Sequence, residues 1–262
     1  MAKIEVVRGA DTDWSQDYAA NGYRTQGDVR SSRVSPAEFS LWLVRAELAD
    51  GATIEWPSTH GDESVFVVSG GFDIDGRTCP PEGAAVIEAD VAVTGRAVGP
   101  TSIVHVGPTD PAQPVDGLNG APSPDGHGVH VVGPRGTYAT TDAEGSDSHY
   151  YADSTCPTCR ITLLHVGREQ PYVSAPHCHS QDELIHLISG SIFLGRQELV
   201  PGDTLAIGAD VRYGFRGADT GFRFLNYRRD ASFQSWPDDR PHRMEGGLAN
   251  GLEPVMDLIE SA

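Results

Sequence analysis

Short apolar runs alternate with polar turns along most of the chain. In the first half these runs are LWLVRAEL, SVFVVSG, AAVIEA and SIVHVG, and in the second half they are RITLLHVG, LIHLISG, TLAIG and FRFLNY. Runs of roughly four to eight residues that are rich in Val, Ile, Leu and Phe and bounded by Gly, Pro and Asp are typical of strands. The pattern therefore predicts an all-β sandwich or barrel.

Several of these strands are apolar on both faces, which predicts sheets that pack internally and also against a neighbour. A comparison of the chain with itself shows that this neighbour is a second copy of a similar module. At a shift of 120 residues, GDESVFVVSGG (61–71) aligns with QDELIHLISGS (181–191), and AVIEADV (85–91) aligns with LAIGADV (205–211). A constant shift over two separate segments indicates a duplicated module.

The repeat predicts a division of the chain into two modules and three connecting or terminal segments. VHVVG (129–133) and TYATT are expected to add strand pieces between the modules, and Leu252, Val255, Met256 and Ile259 are spaced as one face of a short terminal helix. The predicted division is an N-terminal arm (1–35), a first module (36–110), a linker (111–155), a second module (156–230) and a C-terminal tail (231–262).

Composition excludes several classes of partner. The 262-residue chain carries 37 acidic and 19 basic residues, a net charge of −18, without an extended basic patch. Such a charge disfavours binding to nucleic acid or to an anionic membrane surface. The N-terminus lacks a signal-peptide pattern, and no stretch approaches about 18 consecutive apolar residues. We therefore expect a cytoplasmic protein.

The strongest chemical signal is PHCHSQDE (176–183). On a strand, residues two apart project from one face, so His177 and His179 direct two imidazoles to the same point. Glu183 can return across a short turn and complete the set. Two histidines and a carboxylate with open positions suit non-haem Fe²⁺, and also accept Mn²⁺, Co²⁺, Ni²⁺ or Zn²⁺.

This segment resembles the first motif of the cupin superfamily, Gly-x5-His-x-His-x3or4-Glu-x6-Gly. His177, His179, Glu183 and Gly190 occupy four of its places, and Pro171 replaces the leading glycine. The resemblance covers about 43–106 and 160–227. It implies a bicupin, with two tandem jelly-roll (double-stranded β-helix) domains of which the second binds the metal.

The second cupin motif is eroded, and Tyr213 stands where the family has its histidine ligand. Tyr213 could be a fourth metal ligand, a catalytic acid, base or hydrogen-bond donor beside the metal, or a structural filler. In the first module Pro57 and Thr59 replace the two histidines, while Glu63 remains. We predict no metal there, with scaffolding or dimerisation as its role; a metal at His60 and Glu63 is the alternative.

The resemblance implies a metal-dependent enzyme that acts on a small polar molecule and holds one divalent transition metal, with Fe²⁺ favoured. Dioxygenase chemistry is the first choice. The alternatives are an isomerase, a lyase, an aminohydrolase with the layout of the (S)-ureidoglycine aminohydrolases, or a non-catalytic binding protein. We expect a homodimer. Arg160, Arg212 and Arg223 are candidates for holding an anionic substrate.

The remaining cysteines and histidines receive structural interpretations. Cys156-Pro-Thr-Cys159 has the spacing of a redox or zinc half-site, but a second pair is missing and the strand-like ITLLHV follows it. We therefore expect these cysteines to be structural. His165 and His186 are expected to be core or interface residues whose polar atoms are satisfied.

Overall fold

The computed structural model describes residues 4–20, 22–113, 122–123, 125–141, 147–169, 171–235 and 243–245. In this part of the chain the regular structure is β, apart from two 3₁₀ turns at Gly9–Asp11 and Pro134–Gly136. The expected terminal helix around Leu252 lies outside the described residues. No helical segment in the described part has the length and apolar character needed to cross a membrane.

The strands follow the predicted runs closely. In chain order they are β1 (Ile4–Val7), β2 (Arg24–Gln26), β3 (Val29–Arg33), β4 (Leu41–Leu48), β5 (Thr53–Trp56), β6 (Glu63–Ile74), β7 (Arg77–Cys79), β8 (Ala84–Ile87), β9 (Val93–Pro108), β10 (Val129–Val132), β11 (Tyr138–Thr141), β12 (Asp147–Asp153), β13 (Thr162–Arg168), β14 (Cys178–His179), β15 (Glu183–Leu194), β16 (Gln197–Leu199), β17 (Thr204–Ile207), β18 (Arg216–Arg228), β19 (Ser232–Ser235) and β20 (Arg243–Glu245).

Two large antiparallel sheets and one small sheet contain these strands. The first has the order β10-β8-β6-β9-β4-β3, with β5 on β9, β2 on β5 and β7 on β6. The second has the order β1-β17-β15-β18-β13-β12-β11, with β16 on β15, and the small sheet has the order β14-β19-β20. All the pairings are antiparallel, as the alternation of short runs and turns predicts.

The 120-residue repeat is also a repeat of strand pairing. Glu63 pairs with Ile87 across β6 and β8, and Glu183 pairs with Ile207 across β15 and β17. The expected strand pieces between the modules are confirmed as β10 and β11. β10 joins the first sheet, whereas β11 and β12 join the second. The predicted domain boundaries stay predictions.

The N-terminal segment contributes to both sheets. β3 pairs with β4 of the first sheet, and β1 pairs with β17 of the second. Asp203 holds the chain where it passes from β1 towards the first sheet. Its carboxylate accepts hydrogen bonds from the Arg8 guanidinium (2.6 Å) and the Gly9 amide (2.9 Å). Gly9 is required here, since a Cβ at this position would lie 2.3 Å from the Gly202 carbonyl oxygen.

Three of the apolar clusters explain why several strands are apolar on both faces. Val65 and Val67 on β6 point into the core of the first sheet, and Ile185 and Leu187 on β15 point into that of the second. The alternating residues on the same strands, such as Phe66 and Leu184, project from the opposite face and pack in a third core that joins the two sheets. Its buried members include Leu41, Leu43, Phe66, Val86, Val104, Val106, Tyr151, Ile161, Leu163, Leu184, Leu225 and Tyr227.

Candidate metal centre

The structure brings the four predicted site residues together at one end of the second sheet. His179 ends β14, Glu183 begins β15, and Tyr213 follows β17. The ring centroids of His177 and His179 are 5.0 Å apart, and the Tyr213 ring lies 4.6 Å from His177 and 6.2 Å from His179. Two backbone hydrogen bonds of 2.9 Å join His177 to Tyr213. All four side chains are buried.

Glu183 presents one satisfied and one unsatisfied carboxylate oxygen. Its Oε2 accepts hydrogen bonds from Asn226 Nδ2 (2.8 Å) and Arg228 Nη1 (3.2 Å). Its Oε1 is buried with no hydrogen-bond partner in the described chain, 3.8 Å from His179 Nε2. A buried carboxylate oxygen without a donor is costly unless a cation or another group satisfies it. The position beside the imidazoles suits a metal ion.

His177 is oriented as a metal ligand requires. Its Nδ1 lies 2.8 Å from the Ala175 carbonyl oxygen. A carbonyl can only accept, so in the neutral ring the proton is placed on Nδ1 and Nε2 is the acceptor nitrogen. Metal-binding histidines commonly use such a backbone partner to set the tautomer.

His179 has a different environment. Its Nδ1 lies 3.1 Å from Arg228 Nη1 and 3.3 Å from Ser232 Oγ. An arginine can only donate, so Nδ1 accepts, and the neutral ring carries its proton on Nε2. The donor set therefore fits a divalent cation at Glu183 and His177. At His179 the cation competes with the hydrogen bond from Arg228.

Arg228 and Asn226 are site residues that sequence reasoning missed. They are two positions apart on β18, so both face Glu183, and Arg228 pairs with Glu183 in the strand register. The sequence does contain a sign of them: Asn226 and Arg228 are polar residues two positions apart at the end of the apolar run FRFLNYR, as expected for one face of a strand. Of the arginines considered from sequence, Arg160 donates to the carbonyls of Cys156 and Cys159, and Arg212 is exposed.

The equivalent position of the first sheet is built differently. Glu63 accepts hydrogen bonds from the Tyr23 hydroxyl, from Trp56 Nε1 (2.9 Å) and from His105 Nε2 (2.9 Å). The Tyr18 hydroxyl donates to His105 Nδ1 (2.9 Å). Burial lowers the pKa of His105, which keeps the ring neutral, and burial together with the Glu63 charge raises the pKa of Tyr23. Both oxygens of Glu63 are therefore engaged.

His60 is turned towards the backbone instead of a metal position. Its two ring nitrogens lie 2.6 Å and 2.9 Å from the carbonyl oxygens of Gly61 and Val91, and its Nδ1 is 3.9 Å from Glu63 Oε1. The alternative of a metal at His60 and Glu63 has no support in this arrangement.

The two histidines expected in the core are both buried, with one difference from expectation. His186 bonds to Thr204 Oγ1 (2.9 Å), and burial, with the nearby Arg45 charge, lowers its pKa to about 3. The expectation for His186 is confirmed. His165 packs 5.5 Å from the Phe66 ring, but its Nε2 has no hydrogen-bond partner in the described chain. The expectation of full satisfaction was wrong for Nε2 of His165.

Comparison with known proteins identifies the fold. No protein-family model matches the chain, and no curated protein matches it in sequence. Solved structures do match. A Pseudomonas aeruginosa protein named for induction by glyoxylate is 18% identical, with a TM-score of 0.64 over 86% of this chain and 87% of that chain.

Two further structures have the same architecture. The oxalate decarboxylase of Lactobacillus farciminis, solved as a formate complex, is 13% identical, with a TM-score of 0.63 over 86% of each chain. The E. coli protein YlbA is 13% identical, with a TM-score of 0.62 over 91% of this chain and 93% of that chain. These neighbours are cupin-type proteins, and the chain has their all-β jelly-roll fold.

Proposed function

We propose that the chain is a metal-dependent enzyme that acts on a small carboxylate at His177, His179 and Glu183. One observation carries the proposal: Glu183 Oε1 is buried without a hydrogen-bond donor and faces His179 beside His177, whose tautomer suits metal binding. The metal would supply a Lewis acid that polarises a bound oxygen atom of the substrate. A small molecule and a second copy of the chain are the proposed partners, and the cytoplasm is the proposed location.

Arg228 supports an anionic substrate. It is a fully buried cation in a chain of net charge −18, and it touches both Glu183 and His179. The names of two solved neighbours refer to oxalate, formate and glyoxylate, which are small carboxylates. We infer that the buried positive charge of Arg228 favours an anionic substrate at this centre.

Two reaction classes fit this proposal. Oxygen-dependent cleavage is the first choice, because the donor set of two histidines and one carboxylate suits Fe²⁺ in oxygenases. A lyase reaction without net oxidation is the second candidate, and the oxalate decarboxylase among the solved neighbours favours it. In both classes the positive charge of Arg228 would attract the carboxylate, the buried side chains would exclude water, and Tyr213 would act as a hydrogen-bond donor or acid.

The metal content of matched variants tests the proposal. Glu183→Gln and Glu63→Gln make the same change at equivalent positions of the two sheets. We expect wild-type protein reloaded with Mn²⁺ to hold one equivalent at this centre, Glu183→Gln and His177→Ala to lose it, and Glu63→Gln to retain it. Elemental analysis after gel filtration provides the measurement. Equal retention or equal loss in the Glu183 and Glu63 variants would overturn the proposal.

Oxygen consumption separates the two reaction classes. The Fe²⁺-loaded protein is incubated with a panel of diols, diketones, hydroxy acids and small carboxylates such as oxalate. Oxygen uptake that depends on substrate supports the oxygenase. Carbon dioxide release from a carboxylate without oxygen uptake supports the lyase. Turnover that is unchanged in His177→Ala would exclude both.

A further inference from the structure

A second group of candidate metal ligands lies away from His177, His179 and Glu183. Glu88 directly follows β8, His130 lies on β10, and Cys156 lies in the turn between β12 and β13. One ligand atom from each residue lies within 4.8 Å of the other two. The three residues are far apart in sequence, so the fold alone assembles this group.

Glu88 is the centre of this group. Its carboxylate is fully buried, and its Oε2 accepts a hydrogen bond of 2.7 Å from the Gly128 amide. Three groups converge on its Oε1, namely Thr158 Oγ1 (2.6 Å), His130 Nε2 (2.7 Å) and Cys156 Sγ (3.3 Å). Three contacts exceed the two lone pairs of one carboxylate oxygen. A cation would replace the contacts that His130 and Cys156 make with Glu88 by direct bonds to these three side chains.

The surroundings hold the ligands in place and leave a route for an ion. Glu88 is pinned through its backbone as well, because its amide donates to the Gly128 carbonyl (3.1 Å). Arg160 Nη1 donates to the carbonyls of Cys156 (2.6 Å) and Cys159 (2.8 Å), which holds the Cys-Pro-Thr-Cys turn against the group. The His130 side chain is half exposed, so solvent reaches the group from its side.

We propose that Glu88, His130 and Cys156 bind a zinc-class divalent cation, with solvent as the fourth ligand. Thiolate, imidazole and carboxylate are the ligands that Zn²⁺ takes in proteins, and a mixed set with sulfur disfavours Mg²⁺, Ca²⁺ and Mn²⁺. Glu88 and His130 thus supply, from other parts of the chain, the ligands that a site at Cys156 lacks in the local sequence. Cys159 is not assigned as a ligand, because it is not among the residues whose ligand atoms lie within 4.8 Å of one another.

The position of the site indicates its role. Glu88 directly follows β8 of the first sheet, His130 lies on β10 of the same sheet, and Cys156 precedes β13 of the second. A cation bound by all three would tie the two sheets together and cross-link the segment that connects them. Because binding of a ligand to the folded state alone stabilises that state, zinc should raise the thermal stability of the full chain.

Cobalt substitution tests the site without relying on any single variant. Co²⁺ bound to a thiolate gives a charge-transfer band in the near-ultraviolet, and His177, His179 and Glu183 contain no sulfur. We expect the metal-stripped full-length protein to develop this band on titration with Co²⁺ and to lose it when Zn²⁺ is added. Cobalt binding without the band would overturn the proposal.

Variants then assign the band to this group. Cys156→Ser and His130→Ala should abolish it, while Cys79→Ala, which removes a buried thiol elsewhere in the first sheet, should retain it. His177→Ala should also retain it, which separates this site from the proposed active centre. A band that persists in Cys156→Ser, or that disappears in Cys79→Ala or His177→Ala while those variants remain folded, would overturn the assignment.

Discussion

Glu63 and Glu183 occupy the same register position in two equivalent sheets, yet their surroundings are opposite in character. Glu63 accepts from three side chains of an aromatic cluster that leaves neither oxygen unused. Glu183 meets one amide and one guanidinium, and its second oxygen has no donor in the described chain. The groups placed around a carboxylate at one strand position therefore decide whether both of its oxygens are hydrogen-bonded or one is left without a donor.

One backbone position accounts for much of the difference. Ser64 pairs with Val106 and Leu184 pairs with Tyr227, so Gly107 stands where the second sheet has Arg228. A Cβ at Gly107 would lie 2.7 Å from both Glu63 Cγ and Trp42 Cζ2. Because Gly107 has no side chain, Trp42 can pack close to Glu63 in the first sheet. In the second sheet, Arg228 places a positive charge beside Glu183.

The largest effect is expected from removal of that cation. Arg228→Met leaves Glu183 buried with only the Asn226 donor, and breaking a buried pair in this way costs about 3–5 kcal/mol. We expect the free energy of unfolding of the metal-free protein to fall by this amount in urea titrations, and added Mn²⁺ to restore part of it. Arg30→Met is the control, because its pair with Glu47 is exposed and should contribute less than about 1 kcal/mol. Equal losses in both variants would contradict the comparison.

Removal of the first carboxylate should cost about 3 kcal/mol. Glu63→Ala leaves the donors of Tyr23, Trp56 and His105 buried without their acceptor, and each such group costs roughly 1–3 kcal/mol before relaxation. Added Mn²⁺ should not restore this loss, in contrast to Arg228→Met. Glu47→Ala is the surface control. Restoration of Glu63→Ala by metal would show that the two sites are alike.

A smaller effect is expected from a single methyl group. Gly107→Ala inserts a Cβ against Glu63 and Trp42, and overpacking of this kind costs roughly 1–3 kcal/mol. Gly128→Ala is a matched control, since a Cβ there meets no atom within 4 Å. Urea unfolding of both variants provides the measurement. A Gly107→Ala protein as stable as Gly128→Ala would remove this position from the explanation.

The smallest effect near neutral pH concerns the buried histidines. The folded state holds the pKa of His186 at about 3, against 6.5 for the free side chain, so between these values the unfolded chain binds the proton and the folded chain does not. The contribution of His186 is therefore complete above about pH 6.5 and decreases by up to about 1.4 kcal/mol per pH unit as the pH falls towards 3. His186→Gln should flatten the dependence of unfolding free energy on pH over this range. An unchanged slope would contradict the prediction.

Sequence reasoning predicted the fold class correctly and placed the candidate ligands close together, and both successes have a local reason. Strand periodicity depends on neighbouring residues, so β6, β8, β15 and β17 follow from the apolar runs and their turns. His177, His179 and Glu183 lie within seven positions, and the same periodicity places them on one face. The structure confirms that these residues and Tyr213 lie together, while the role of Tyr213 stays a prediction.

The sequence by itself determined the all-β class, the 120-residue repeat and the cluster around His177, because each depends on spacing along the chain. Only the tertiary structure decided what surrounds each carboxylate. Arg228 contacts Glu183 although the two are 45 residues apart in sequence, and Tyr23 contacts Glu63 although they are 40 residues apart. The group around Glu88 likewise joins residues up to 68 positions apart. Such contacts follow from strand order and sheet packing, which no local pattern of polar and apolar residues specifies.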